Sequence, residues 1–299
     1  MLTIRIPNDN AMSAMAFISA GDFVSAQTIL DAYLNAITPE PEGGFLHRYN
    51  SIDGSYASGL LFAGANTYLL QAMNLYYLNT GDARYNVLAQ QIADFLISLQ
   101  DSDGGMVGLP GALWKSTENN LGALSAIHNF GTIHGLQYYI DKAVLIRTFI
   151  TTECWDGTRF FAGKNDAEIV TDVQALGTLV LGAAYSNGAY WIESYTLNTQ
   201  TYSRRKTVTG FDLNTDQDTV WTEGTLQESL AFSVAGDVIK SEDYKSEAEK
   251  LSHSSGAFYQ ASNTGTAGYG DIFEKWRAVA PTAWYVLIAN QDNALELIE

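Results

Sequence analysis

Tyr68-Leu-Leu-Gln-Ala-Met-Asn-Leu-Tyr-Tyr-Leu78 runs into Asn79-Thr-Gly-Asp82, after which Tyr85, Leu88, Ala89, Ile92, Leu96 and Leu99 recur at helical spacing. The first stretch is apolar on almost every side. The second has one apolar stripe, with Arg84, Gln90, Gln91, Asp94 and Ser98 opposite it. A helix that is apolar all round packs on every side, whereas one with a single stripe is half solvated. Gly81 suits the left-handed position that ends a helix, and Asp82 the cap that begins the next. The passage predicts a tight antiparallel pair, one helix inner and one outer.

The same punctuation recurs at Gly21-Asp22 and Gly236-Asp237, and the stretches Asn187-Gly188 and 131–135 hold equivalent places. Five helical hairpins are expected, over about 9–36, 65–100, 118–153, 171–202 and 222–253, with a last helix over about 280–291. The inner helices then begin near 10, 66, 118, 172, 223 and 281, a spacing of roughly fifty to sixty residues that marks a supersecondary repeat. Six inner helices ringed by outer ones describe an all-α (α/α)6 toroid, one domain spanning 1–299 whose last outer helix is truncated. A linear solenoid of helix pairs is the competing architecture. Closure is preferred because a solenoid leaves the inner helices open on one side.

Composition narrows the function. Apolar residues make up 46% of the 299 and charged residues 16%, which excludes a disordered chain. The net charge of −17 repels nucleic acid and anionic membranes, and suits neutral or cationic small molecules and uncharged polymers. Cys154 is the single cysteine, so no internal disulfide and no cysteine-based zinc site can form. Apolar runs of about ten residues are too short to span a bilayer. Residues 1–10 lack the long apolar run of a secretory signal. An extracellular or virion-associated location is nonetheless expected over a cytoplasmic one.

Connections from inner to outer helices are short, whereas those from outer to inner are long: about 37–64, 101–117, 154–170, 203–221 and 254–279. Long ordered loops in a compact domain are more often functional than decorative. In a toroid they share one rim, where the inner helices open with Asn8-Asp9-Asn10, Asn66-Thr67, Ser116-Thr117-Glu118-Asn119, Thr171-Asp172, Thr222-Glu223 and Pro281-Thr282. Capping accounts for any one of these: Ser116, Thr171 and Thr222 are good N-caps, and acids complement the helix dipole. It does not account for several carboxylates converging with Trp114, Trp155, Trp221, Trp276 and Tyr269 from the loops. Aromatic faces beside carboxylates suit a sugar ring, whose C–H face stacks while its hydroxyls find acceptors.

The fragments Trp114-Lys-Ser-Thr-Glu-Asn-Asn-Leu121, Asp172-Val-Gln-Ala-Leu-Gly177, 210–227 and Ala280-Pro-Thr-Ala-Trp-Tyr285 resemble α/α-toroid glycoside hydrolases and their bacterial relatives, a likeness covering most of 45–290. The resemblance implies a carbohydrate-active hydrolase acting on an oligosaccharide or polysaccharide without a cofactor. Glycosidic hydrolysis needs an acid for the leaving oxygen and a carboxylate on the other face of the sugar. Carboxylates on different inner helices fall in the wider separation that admits a water, so inversion is expected. Glu223 is the candidate acid, with Asp172 or Glu118 as base. Trp114, Trp221, Trp155, Trp276, Tyr269, His47, Asp53 and Asn119 are the candidate sugar-binding residues.

Other chemistries compete. Asp212 to Glu223 places oxygens at positions 1, 3, 5, 7 and 12 of an EF-hand-like calcium loop, with Gln217 where glycine belongs. If it held calcium, Glu223 would be a ligand and not an acid; the reading adopted is no metal. A lyase acting through His47, Arg48 and Arg277 is opposed by the acidic rim. An isomerase or epimerase needs a histidine pair, and only His47 and His253 lie near long loops. A prenyltransferase-like zinc set is absent around Cys154. The chief alternative is a non-catalytic toroid that binds glycan or serves a larger extracellular or virion assembly.

Overall fold

The computed structural model describes residues 4–5, 7–50, 55, 59–268 and 271–299. Two compact units emerge: 1–153 together with 294–299, and 154–293. The first carries α1 (Pro7–Ser19), α2 (Phe23–Asn35), α3 (Ala63–Thr80), α4 (Asn86–Ser98), α5 (Thr117–His134) and α6 (Gln137–Phe149). Its two short strands, β1 (Ile4–Arg5) and β2 (Tyr49–Asn50), pair antiparallel with Arg5 opposite Tyr49. The second carries α7 (Asp172–Leu181), α8 (Asn187–Thr196), α9 (Thr222–Val234), α10 (Val238–Glu249) and α11 (Val279–Ala289).

The expected alternation holds within each unit. Most of α3, α5, α7 and α9 is buried, whereas α2, α6 and α10 each bury only three or four residues. Asp22 and Asp237 cap α2 and α10 by accepting the N–H groups of Ser25 and Lys240. Gly21, Gly81 and Gly236 take positive φ of 76°, 70° and 84°, as these turns require. At the fourth turn the chain reverses at Gly182, φ 87°, and not at Asn187-Gly188, which lies in the first turn of α8. Gly188 is small for another reason: a Cβ there would stand 2.7 Å from Oε1 of Gln174.

The helix expected to continue to 202 stops at Thr196. Leu197–Ser203 (β3) turns back onto Lys206–Phe211 (β4) as an antiparallel hairpin, with Leu197 opposite Phe211. The segment is rich in threonine and polar residues that fit a half-buried strand better than a helix. Two further small ladders lie in the last long loop: β5 (Phe258–Tyr259) pairs with β8 (Arg277–Ala278), and β6 (Gly265–Gly268) with β7 (Asp271–Phe273). Thr222 is the first helical residue of α9, with Trp221 as its N-cap.

One device recurs five times and ties each long loop to the buried helix that follows it. Asn66 Oδ1 accepts the N–H of Phe45 at 2.7 Å, while its Nδ2 donates to the carbonyls of Phe45 and Phe62. Asn120 does the same for Met106 and Ser116, and Gln174 for Phe160 and Val170. Thr225 and Thr282 do it with a hydroxyl, accepting the N–H of Phe211 and Phe258 and donating to Trp221 and Ala278. Each clamped loop residue is itself fully or almost fully buried. A polar side chain in a buried helix thus satisfies buried backbone groups of the preceding loop.

Polar residues further along α3 and α5 have a different partner, the chain end. Gln71 Nε2 donates to the Ala294 carbonyl at 2.6 Å, Ser125 Oγ to Leu295 at 2.8 Å and Asn129 Nδ2 to Glu296 at 2.8 Å. The N–H of Ile298 returns to Asn129 Oδ1. The chain end from Ala294 to Ile298 is therefore fastened to α3 and α5.

Removing one clamp leaves a buried N–H and carbonyls unpaired, at about 1–3 kcal/mol per group. Asn120→Ala is expected to lower unfolding free energy by about 2–4 kcal/mol in urea denaturation. Asn79→Ala, at an exposed side chain, should stay within about 0.5 kcal/mol of the parent.

Candidate functional site

The second unit joins two of its buried helices at their N-terminal ends. The N–H of Thr171, the N-cap of α7, donates to the Leu213 carbonyl at 2.9 Å, and its hydroxyl bonds to the Asp212 carbonyl. The N–H of Trp221, the N-cap of α9, donates to Phe211 at 2.8 Å. The exit of β4 therefore stitches the starts of α7 and α9 together, and the two helices pack directly. Asp172 and Glu223 stand in their first turns.

The two carboxyl groups differ in environment. Asp172 keeps some accessible surface yet lies deep among protein atoms, and burial pushes its pKa up to about 6 despite the N–H bond from Val173. Glu223 is held in place: the indole Nε1 of Trp284 donates to its Oε1 at 3.1 Å, and Nε2 of Gln227 at 3.3 Å. Such a pair divides labour, one group keeping a proton towards neutrality and the other oriented as an acceptor.

Buried polar atoms with no partner gather on α9. Thr222 Oγ1, Gln227 Oε1 and both carboxyl oxygens of Glu228 are four of the eight such atoms among the described residues. Trp284, Gln227 and Glu228 were not expected as site residues. Gln227 was findable, since it lies four residues beyond Glu223 and shares its face. Trp284 approaches from a helix sixty residues away, which no local spacing reveals.

Asp212, Asp216 and Asp218 bring one carboxylate oxygen each within 4.8 Å of one another. Gln217, with φ 55°, makes the sharp turn usually left to glycine. Asp212 is fully buried and accepts the N–H groups of Leu213 and Thr219, while Asp218 accepts the N–H of Thr266 and Asp216 its hydroxyl. Asp216 and Asp218 fasten the loop to β6. Glu223 takes no part, so the calcium reading and the acid–base reading no longer contend for it. Burial, with repulsion from Asp216 and Asp218, raises the Asp212 pKa to about 7.

The aromatic candidates divide. Trp221 is buried, stacked on Phe273 at 5.4 Å and 10°, and its ring fills the space above Gly224, which places it in the core. Trp155 packs on Phe160 and Tyr185. Trp276 is 52% exposed. In the first unit Trp114 is 47% exposed, lies over Gly108 and neighbours Phe62, which meets His47 edge-on at 5.4 Å. Burial, then the Arg48 charge, lowers the His47 pKa. Glu118 opens α5 in that unit, and the Asn119 side chain packs against Gly64. Tyr269 and Asp53 lie outside the described residues.

No family model matches the chain, and no curated protein matches it in sequence. Solved structures do match in fold. A glycosidase solved in several variants matches at TM-score 0.72 in one of them, at 12% identity over 98% of this chain and 88% of that one. Another variant of it was solved with glucose bound, and matches at TM-score 0.68. Cellobiose 2-epimerase from Bacillus thermoamylovorans matches at TM-score 0.67 and 13% identity, over 97% of this chain and 88% of that one. An alpha-amylase from Clostridium perfringens matches at 0.67 and 9% identity, over 96% and 86%. The chain shares the helical fold of these α/α-toroid glycoside hydrolase-like proteins. Among the described residues no helix is long and apolar enough to cross a membrane.

Asp172, Asp212 and Glu228 all have pKa values raised by burial, so each binds its proton more tightly folded than unfolded. Their stabilising protonation is complete below about pH 4 and is lost as pH rises through each folded value. Tm is therefore expected to fall between pH 5 and pH 8. In Asp212→Asn the fall should be shallower, as read by scanning calorimetry across that range.

Proposed function

We propose that the chain is a carbohydrate-active hydrolase that cleaves a glycosidic bond with Asp172 as general acid and Glu223 as general base. The observation that carries this reading is the pair of unlike carboxyl groups at the stitched ends of α7 and α9. Asp172 gives its proton to the glycosidic oxygen as the bond from the anomeric carbon breaks. A water attacks that carbon and yields a proton to Glu223. Packed helices keep their axes about 8–10 Å apart, which suits carboxyl separations that leave room for the water, and so inversion. The net charge of −17 favours a neutral glycan over a polyanionic one. The glycosidase and epimerase structures of the same fold support a sugar substrate.

Turnover on a panel of neutral oligosaccharides tests it. Asp172→Asn and Glu223→Gln are each expected to lower kcat by about 10²–10⁴, and proton NMR of the first-formed product should show the inverted anomer. Full turnover in both variants would overturn the assignment. Saturable glycan binding with no turnover in the parent chain would replace hydrolysis with the non-catalytic reading.

A further inference from the structure

The first unit carries a row of rings that the acid and base of α7 and α9 do not employ. Trp114 is 47% exposed, and Phe62 and His47 are half-buried. Phe62 stands 6.5 Å from Trp114 and is tilted by 47°, so it flanks the indole and does not lie flat over it. His47 meets Phe62 edge-on at 5.4 Å. The indole is seated on main chain. A Cβ on Gly108 would stand 1.7 Å from its Cη2, so only a glycine lets the ring lie there. Gly108 donates its N–H to the Trp114 carbonyl at 3.1 Å and accepts that of Ala63 at 2.8 Å. Just beyond the ring, Lys115 is buried against Asp101 and Asp103, and Ser116 caps α5. His47 is placed in the same way, its N–H on the Leu60 carbonyl at 3.0 Å and its Cβ close against Gly59.

A ring held like this keeps one side on the protein and offers the other to solvent, and little order remains to be lost on binding. Burial does not explain this tryptophan, since nearly half of it stays in water, whereas Trp221 packs on Phe273 and Trp155 on Phe160. We propose that Trp114, with Phe62 and His47, is a binding platform for an uncharged glycan, the indole stacking on the C–H face of one sugar ring and the imidazole meeting hydroxyl groups beside it. A neutral imidazole both donates and accepts, and burial with the Arg48 charge keeps His47 towards that form. A stable protein partner covers about 800 Å² on each side. Three partly buried rings of about 150–250 Å² each expose well under half of that, which suits a sugar and not a second protein. The net charge of −17 turns polyanionic glycans away. The proposal rests on the carbohydrate reading above and not on its acid and base.

Calorimetric titration and nitrogen–proton NMR spectra of the six indoles test it, with cellohexaose, maltohexaose and xylohexaose as probes. Glu223→Gln serves as the background, so that the probe is not consumed. The signal absent from Trp114→Phe identifies the Trp114 indole, which should shift on binding. Trp114→Ala is expected to weaken Kd by at least about tenfold. Trp114→Phe, which keeps a smaller face, should weaken it by about threefold. Gly108→Ala keeps the indole but unseats it, and should approach the Trp114→Ala value. An unmoved Trp114 signal at saturation, or binding of none of the three probes, overturns the platform. So does a concentration-dependent dimer that Trp114→Ala abolishes, since the face would then belong to a second copy. Affinity that depends on Trp114 and Gly108, in a parent chain that hydrolyses none of the probes, would leave the platform standing and overturn only hydrolysis.

Discussion

The hydrogen bond from a buried helix to the loop before it is the constraint on which both units depend. A long loop that enters the interior brings N–H and carbonyl groups that its short ladders and bridges do not pair in full. The fold meets this with one side chain per repeat that offers an acceptor and a donor: an asparagine twice, a glutamine once, a threonine hydroxyl twice. The same side chain returns a bond to the carbonyl four residues earlier, so the helix start and the loop are held as one piece. Residues that stand beside these clamps, Asp172 before Gln174 and Glu223 before Thr225, inherit fixed positions from them. Site geometry in this chain is thus a consequence of how loops are satisfied.

Electrostatics in the second unit oppose stability. Asp172, Asp212 and Glu228 are acids in places where the charged form is penalised, and α9 keeps further polar atoms without partners. Asp212 is used structurally, since two backbone N–H groups and the loop around 212–219 depend on it. Asp172 accepts the N–H of Val173 at the start of α7, and both oxygens of Glu228 are without a partner. Burial and like charges tune the protonation states of such groups.

Much of the helical organisation was legible locally. Burial on all sides versus on one stripe is written in residue spacing, which separates α3 from α4 and locates the starts of α5, α7 and α9 within a residue or so. Glycine followed by aspartate marks three turns because the left-handed end and the next cap are backbone requirements of adjacent residues. Local signals failed at Asn187-Gly188, where glycine answers to the approach of Gln174 and not to a turn. They failed again at 197–202, where strand pairing with 206–211 overrode continuation of a helix. Trp221 read as a sugar platform from its place in a loop, but Phe273 claims its face.

The amino-acid order by itself determined the alternation of buried and half-solvated helices, the turns between them and the polar character of the helix starts, because each depends on residues within a turn or two. Only the tertiary structure decided which polar residues pair, that Trp284 and Gln227 orient Glu223, that Asp212 is buried apart from it, and that Glu228 has no partner. Hydrogen-bond satisfaction and desolvation depend on what surrounds a group in space, and those surroundings come from segments tens of residues away.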